Sequence, residues 1–480
     1  MRSSILLGAF LAIGATAPAA AQMSAEWQRC SRSDVNPDDG IAACSALIDG
    51  GREQGKNLSI AHFNRGNGWS AKNNPERAAA DFSETIRLDP SNAAAYHNRA
   101  AALQAGNQLG PALADYDHAI RLSPDYANAY GNRGLLRLAL GRYDDAIADF
   151  EQVIRLDPKN IFGLVNRGIA ARAKGELDRA LADFDRAVTL DRGNAQPYFE
   201  RAAIRQSRGQ TDLAIADLAE VIRIQPNRVE TWVNRGVLFY AKGEYDRALA
   251  DFNQALSINP NRANVYNNRG AIHLARGRLD DAITDFDKEI SINPNDPIAY
   301  TNRARAWVAK GDHDRAIADA GEIIRLDPNN AFAFSLRGSS RHLKGDYDGA
   351  IADYDSAIAT DPKIAEVYGN RGRAWRAKQQ LDRAVTDFDK AIELDAKSAE
   401  AFNSRAWTHY LAGRTTEALA DANKALELDP KNAYALDTRG QIFAKLGQRD
   451  KAIADFRKAV EIDPKLEDSR AALRKLQAAN

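Results

Sequence analysis

Twelve arginines recur at intervals of 34 residues (Arg65, Arg99, Arg133, Arg167, Arg201, Arg235, Arg269, Arg303, Arg337, Arg371, Arg405 and Arg439), and an aspartate follows each one after 16 residues, from Asp81 to Asp455. Two chemistries suit such columns. A row of guanidinium groups can grip the carboxylates of an acidic ligand by paired hydrogen bonds. Alternatively, cations and anions matched in number at one fixed spacing form internal pairs that join two elements, within a repeat or across to the next. The matched counts favour the internal pair, and the pairs are expected to be buried. An exposed pair contributes only ~0 to 1 kcal/mol, whereas breaking a buried one costs ~3 to 5 kcal/mol.

A second column stands immediately before the arginines: Asn64, Asn98, Asn132, Asn166, Asn234, Asn268, Asn302 and Asn370, replaced elsewhere by Glu200, Leu336, Ser404 and Thr438. A side-chain amide both donates and accepts, so a ladder of amides can bond the backbone of an extended ligand without demanding its sequence. The competing reading is an amide bonded to the neighbouring helix.

Catalytic chemistry finds little support. The sequence has no phosphate-binding glycine loop, no HExxH and no GxSxG, and its seven histidines (62, 97, 118, 273, 313, 342 and 409) are scattered through separate repeats. No metal site and no cofactor is expected. The two cysteines, Cys30 and Cys44, lack CxxC spacing and a nearby histidine, which disfavours a redox or metal pair and points to a disulfide in an oxidising compartment. Lys plus Arg equals Asp plus Glu at 65 each. That balance gives no bulk field for nucleic acid or anionic lipid.

The elements that hold these columns follow from the same period. Prolines 90, 124, 158, 226, 260, 294, 328, 362, 430 and 464 share one 34-residue lattice, missed where Arg192 and Ala396 stand. Residues 125–158 show two helices per repeat. Tyr130, Gly134 and Leu138 lie at helical spacing in the first, and Gly141 suits its C-terminus. Asp144 reads as the N-cap of the second, with Ala146, Phe150 and Ile154 on its inner face and Pro158 beyond its end. An alanine recurs in all twelve repeats, from Ala78 to Ala452, opposite an earlier site that is always Gly or Ala, so the paired helices can approach closely. An aromatic four residues later, as at Phe82, Phe150 and Phe286, is expected to fill the space between neighbouring repeats. One helix pair cannot bury these rings alone, which is why such units stack into arrays.

The repeat, carried by Tyr130, Asn132, Arg133, Gly134, Gly141, Tyr143, Ala146, Asp149, Phe150 and Pro158, resembles the tetratricopeptide repeat in its NRG-containing form. The resemblance implies an all-α fold: an α-solenoid, a right-handed superhelix of about twelve helix-turn-helix repeats over 57–464. It also implies a concave groove lined by first helices that takes extended peptides or partner helices. By analogy the asparagines contact that ligand, and Phe162, Val165 and Tyr240, with Leu135, Ile169, Phe199, Val233 and Val237, give the groove an apolar stretch over 125–260. Farther along, Arg305, Glu366, Arg373, Arg376, Glu400, Trp407 and Asp437 make it polar.

The ends depart from the pattern. Residues 1–21 hold a short apolar run, Ile5 to Ile13, and then Ala19, Ala20 and Ala21, as in a secretory signal peptide cut after Ala21. No cysteine follows the cut to carry a lipid. Residues 22–56 are expected to form a cap stapled by Cys30–Cys44, and 465–480 a capping helix with Leu466, Leu473 and Leu476 inward. The lattice is weakest around Arg192, Glu200 and Leu218, where a change of curvature is expected, and lapses again at Ala320 and Leu336. The function expected is a non-catalytic protein- or peptide-binding scaffold of the cell envelope, periplasmic or secreted. It would be monomeric because both ends are capped, without membrane insertion and without nucleic acid. A self-assembling structural array is the next reading, and an enzyme with a groove site a distant third.

Overall fold

A computed structural model describes residues 24–478; the expected leader over 1–21 lies outside the described residues. The described residues form 27 helices. They divide into two compact halves, one ending at Leu238 and the other beginning at Phe239. Within each half, first and second helices alternate and pack in chain order. The second helices keep one length and phase: Pro75–Leu88, Leu109–Leu122, Tyr143–Leu156 and their successors at 34-residue intervals to Arg449–Ile462 are each 14 residues long. The phase holds through Arg192, where Leu177–Leu190 and Thr211–Ile224 have the same bounds as elsewhere.

Each first helix stops at a left-handed residue. Gly141 has φ of +73° and Gly175 of +92°, whereas Asn73, Asn107 and Gln379 hold the same place at +54°, +61° and +61°. Glycine meets that backbone without steric cost, and asparagine tolerates it.

The second helix does not begin as its acidic residue suggests. Arg142, not Asp144, is the N-cap of Tyr143–Leu156, and it makes no side-chain capping bond. Only Asn74, Asp312 and Asp346 cap their second helices in that way. Asp144 sits one residue inside the first turn. There a carboxylate favours the positive end of the helix dipole and meets a cation at the end of the next repeat's first helix. Lys174 Nζ lies 2.6 Å from Asp144, Arg208 2.8 Å from Asp178 and Arg276 2.7 Å from Asp246. These aspartates are 78–91% exposed, so the pairs orient the helices more than they stabilise them.

Close packing inside the repeat is set by a small residue against a large one. All twelve lattice alanines are fully buried. The aromatic ring fills its own repeat as well as meeting the next one, as Phe150 does Phe162 and Tyr116 does Leu136: a Cβ added at Gly66, Gly134, Gly168 or Gly270 would come within 2.7–2.8 Å of the ring of Phe82, Phe150, Phe184 or Phe286, 16 residues later. Where the small site is alanine, the ring is usually lost. Ala202 is followed by Leu218, Ala304 by Ala320 and Ala406 by Ala422, with Ala100 and Tyr116 as the exception. Ala202 with Leu218 keeps roughly the volume of a Gly and Phe pair, whereas Ala304 with Ala320 and Ala406 with Ala422 make a smaller one.

At the N-terminus, Ala25–Cys30 and Pro37–Asp49 are joined by the Cys30–Cys44 disulfide, with both cysteines fully buried and their Cα atoms 4.7 Å apart. At the other end Glu467–Ala478 packs on Arg449–Ile462. Leu466 meets the cluster of Leu426 and Leu436, and Leu473 and Leu476 are half-buried. Among the described residues no helix is long and apolar enough to cross a membrane.

The paired volumes set an expectation for one mid-half repeat. Gly270→Ala drives a methyl into the Phe286 ring and should destabilise by about 1–3 kcal/mol in urea unfolding. Adding Phe286→Leu should recover much of that loss, because the double variant recreates the Ala202 and Leu218 pair. A double variant less stable than Gly270→Ala alone would show that volume is not what couples the two sites.

Candidate functional site

The arginine column is internal. In each of eleven repeats the guanidinium grips the aspartate 16 residues on with two nitrogens, as Arg303 does with Asp319 at 2.9 and 2.6 Å and Arg371 with Asp387 at 2.9 and 2.6 Å. The aspartates are buried, Asp319 to 3%. The third guanidinium nitrogen reaches back to the second helix of the preceding repeat. Arg303 Nη1 donates to Asp287 at 2.5 Å, Arg201 to Asp185 at 2.6 Å, Arg269 to Asn253 at 2.7 Å and Arg99 to the Ser83 hydroxyl at 3.1 Å. An aromatic three residues earlier covers the same cation: Arg201 lies 5.3 Å from the Tyr198 ring centroid and Arg303 5.6 Å from that of Tyr300. Most of these arginines therefore tie two helices of their own repeat to the repeat before, leaving no column of free cations for a ligand; Arg337, with Gly321 16 residues earlier, makes its side-chain hydrogen bonds to Asp353.

The asparagines divide. Asn64, Asn98, Asn132 and Asn370 are buried, whereas Asn166, Asn268 and Asn302 are half-buried and Asn234 is exposed. Most of the buried amides are turned toward the preceding repeat. Asn98 Nδ2 donates to Asn67 Oδ1 at 2.9 Å, Asn132 lies 2.8 Å from His97 Nε2, and Asn64 donates to Cys30 Sγ at 3.9 Å. The half-buried Asn302 does the same with Asn267 at 2.9 Å, while Asn166 bonds the Phe162 carbonyl of its own helix at 2.9 Å. Burial pushes His97 down to about 4, so its ring is neutral and Nε2 can accept the Asn132 proton. Asn370 accepts from Arg373. Several amides thus bond the adjoining repeat, but through its side chains rather than its backbone.

The apolar groove residues divide as well. Val165 is 7% exposed and belongs to a core cluster with Leu164 and Phe184. It is packing, not surface, because its helix turns that side toward the adjoining pair. Phe162 is half-buried, its ring edge-on to Phe150 at 6.2 Å, and Tyr240 is 40% exposed beside Tyr245.

An open groove does exist in the N-terminal half. It has a volume of about 570 Å³ and runs between the ends of Gly55–Ala71 and Ala127–Ala139 across Ala93–Ala105. Ala101, Ala105, Leu135, Leu136 and Ala139 floor it, and Asn132, Asn73 and Ser70 supply polar groups. Small residues keep it open, a signal present in the run Ala100 to Ala102 but read only as packing. Asn98 lies one helical turn from this floor, and its Oδ1 is buried without a hydrogen-bond partner. Among the described residues no group of three or more His, Cys, Asp or Glu could hold a metal ion.

Glu289 escaped the sequence reading. It is 1% exposed at a place where Ala187, Ala255, Ala357 and Ala391 stand in other repeats, and its Oε2 has no partner. Burial, then the charge of Asp296, pushes its carboxyl up to about 7. The signal was a single acidic residue at a place where every other repeat has Ala, Val, Ile or Thr.

Paired antiparallel helices stacked on a 34-residue period, with a groove along the first helices, define a helical-repeat binding scaffold. Profiles described as tetratricopeptide repeat match residues 127–160, 268–331, 336–399, 370–433 and 433–466, and one described as TPR repeat matches 237–277. The chain belongs to the tetratricopeptide repeat proteins, scaffolds that bind proteins and peptides and are generally non-catalytic. Among solved structures it is similar to a tetratricopeptide repeat protein from Parabacteroides merdae, at 20% identity over 52% of this chain and 98% of that one, with a TM-score of 0.46. Yeast Tom70 is similar at 17% identity over 88% and 96% of the two chains, with a TM-score of 0.38. YrrB, described as a TPR protein with an unusual peptide-binding site, is similar at 25% identity over 39% and 97%, with a TM-score of 0.32. No curated protein matches the chain.

Two expectations follow from the ionisable groups. Arg303→Ala strands Asp319 in the core, where burial already pushes its carboxyl up. The melting transition should fall by an amount equivalent to about 3–5 kcal/mol, whereas Arg325→Ala, which breaks an exposed pair with Glu322, should change it little. Glu289 has a folded-state value above its unfolded one, so the stability it contributes is full below pH 4.5 and is lost as pH rises through 7. Glu289→Gln should therefore melt above the wild type at pH 8, with the gap closing by pH 5, in calorimetry at both pH values.

Proposed function

We propose that this protein is a peptide- or protein-binding adaptor of the cell envelope, holding an extended segment of its partner along the first helices. The observation that carries this reading is the groove of about 570 Å³ in the N-terminal half, with an apolar floor and amides at hand. An extended peptide needs both: apolar surface for its side chains, and groups that donate and accept for its backbone. Among the asparagines, the exposed Asn234 and the half-buried Asn268 and Asn302 remain candidates for ligand contact, as do Phe162 and Tyr240. Export is supported by the buried Cys30–Cys44 disulfide, since such bonds persist in oxidising compartments. The apolar run and the alanines of residues 1–21 add sequence support for it. YrrB lends a precedent only by its description.

The test is capture from envelope extract by the immobilised protein lacking residues 1–21, in parallel with Ala105→Trp. Ala105 lines the groove and is itself exposed, so the indole fills the space without disturbing the core. Partners identified by mass spectrometry should be retained by the wild type and lost from Ala105→Trp at an unchanged melting temperature. Equal retention by both would remove the groove from the binding function.

A further inference from the structure

Two residues at the N-terminal groove leave their columns together. His97 is the one histidine at its place in the lattice, where Phe63, Val165, Phe199 and Val233 stand in other repeats. Tyr126 stands where Asn92, Asn160, Asn330 and Asn432 cap their first helices through a side-chain oxygen, and it makes no capping bond for Ala127–Ala139. A side-chain cap is thus given up, and a hydroxyl is gained beside the histidine: Tyr126 Oη lies 3.1 Å from His97 Nδ1.

The pair fixes an amide at the groove. His97 is fully buried, its ring edge-on to Tyr126 at 5.0 Å and tilted to Tyr116 at 5.6 Å. Burial pushes it down to about 4, so the ring is neutral and carries one proton. With that proton on Nδ1, donated to Tyr126 Oη, Nε2 accepts from Asn132 Nδ2 at 2.8 Å. Asn132 lines the groove, and the end of its amide left to offer there is the acceptor Oδ1. Gln104, which also lines the groove, is fixed in the opposite sense: its Oε1 accepts from the Tyr116 hydroxyl at 3.2 Å, leaving Nε2 to donate. No Asp, Glu, Lys, Arg or His is among the described residues that line this groove.

We propose that the groove takes the side-chain carboxamide of a glutamine or asparagine on an uncharged stretch of the partner, received by Asn132 and Gln104, with His97 and Tyr126 as positioning residues. A carboxamide gives a donor to Asn132 Oδ1 and an acceptor to Gln104 Nε2 at once. An apolar side chain of the same size displaces water and leaves both groups without partners, which is penalised. A carboxylate or an ammonium gives up its water against a lining that holds no counter-charge. The small floor residues Ala101, Ala105 and Ala139 leave room for the side chain to enter. The inference rests on the peptide-binding reading above and supplies the ligand chemistry of that groove.

The test uses the full chain and short fluorescein-labelled peptides of Ser and Ala with Gln at alternate positions, and with Met or Glu in place of each Gln as comparisons, by anisotropy at low and at moderate salt. The Gln peptide should bind about tenfold more tightly than either comparison, with little change between the two salts. Tyr126→Phe removes one oxygen atom; the His97 proton then moves to Nε2, Asn132 turns its oxygen to meet it, and the preference for Gln over Met should fall to near one at a melting temperature close to that of the wild type. Gln104→Met, at a half-buried position, should lower the same preference and stays informative if Tyr126→Phe fails to fold. A Gln peptide that fails to bind, or binds no better than the Met or Glu peptide, would overturn the carboxamide assignment, as would a preference unchanged in both variants. Equal binding of all three peptides that is lost in Ala105→Trp would mean that the groove reads backbone alone. The peptide-binding reading would then stand, because capture of envelope partners judges it separately.

Discussion

The structure depends on a three-way joint at most lattice arginines. Two guanidinium nitrogens hold a buried aspartate of the same repeat, and in most repeats the third reaches the repeat before, as Arg303 does with Asp319 and Asp287. A planar fork with donors in fixed directions fixes both a distance and an angle between helices, which a lysine could not do. Because buried charge is costly when unpaired, a displaced repeat leaves an aspartate such as Asp319 without compensation, and the array resists slippage of one repeat along the next. Hydrophobic burial supplies most of the stability of such arrays; the joint supplies the register.

Inside that frame the helix spacing is set by volume. A glycine under a phenylalanine ring and an alanine over a smaller side chain, as at Ala202 and Leu218, are two solutions of one packing problem. Both keep the second helix at the same phase, so a local change of residue leaves the helix bounds unchanged. The lapse at Arg192, Glu200 and Leu218 illustrates this, since the helices around it keep their bounds. There Leu218 refills the space of the lost ring, and Glu200 gains Arg172 as partner.

Much of this was legible in the chain because periodicity multiplies a weak signal. One Asp after one Arg says little, whereas twelve at a single spacing imply pairing. The disulfide was legible from cysteine count and compartment. What failed was direction. Asp144 looks like an N-cap by residue type, but a cap depends on the backbone one residue earlier, which composition does not reveal. Phe150 meets Phe162 of the next repeat as expected, but it also lies over Gly134 of its own repeat, because the 16-residue offset reports contact without saying which side of the helix makes it. Val165 was placed in the groove and lies in the core for the same reason: a helix in a stacked array has two buried flanks and one open one, and spacing alone does not separate them.

The residues that distinguish this chain are therefore those that leave the columns. A lattice position filled by its usual residue serves packing, as the alanines and arginines do in every repeat. A position filled otherwise is either compensated nearby, as Glu200 is by Arg172, or left with unmet chemistry. Glu289, with an unpartnered buried oxygen, and Arg376, with no carboxylate, are of the second kind. Glu289 is closed off from solvent, so its unmet group can only take up a proton and make stability depend on pH. Arg376 is half-buried, with the Ser404 carbonyl and the Phe388 ring beside its guanidinium.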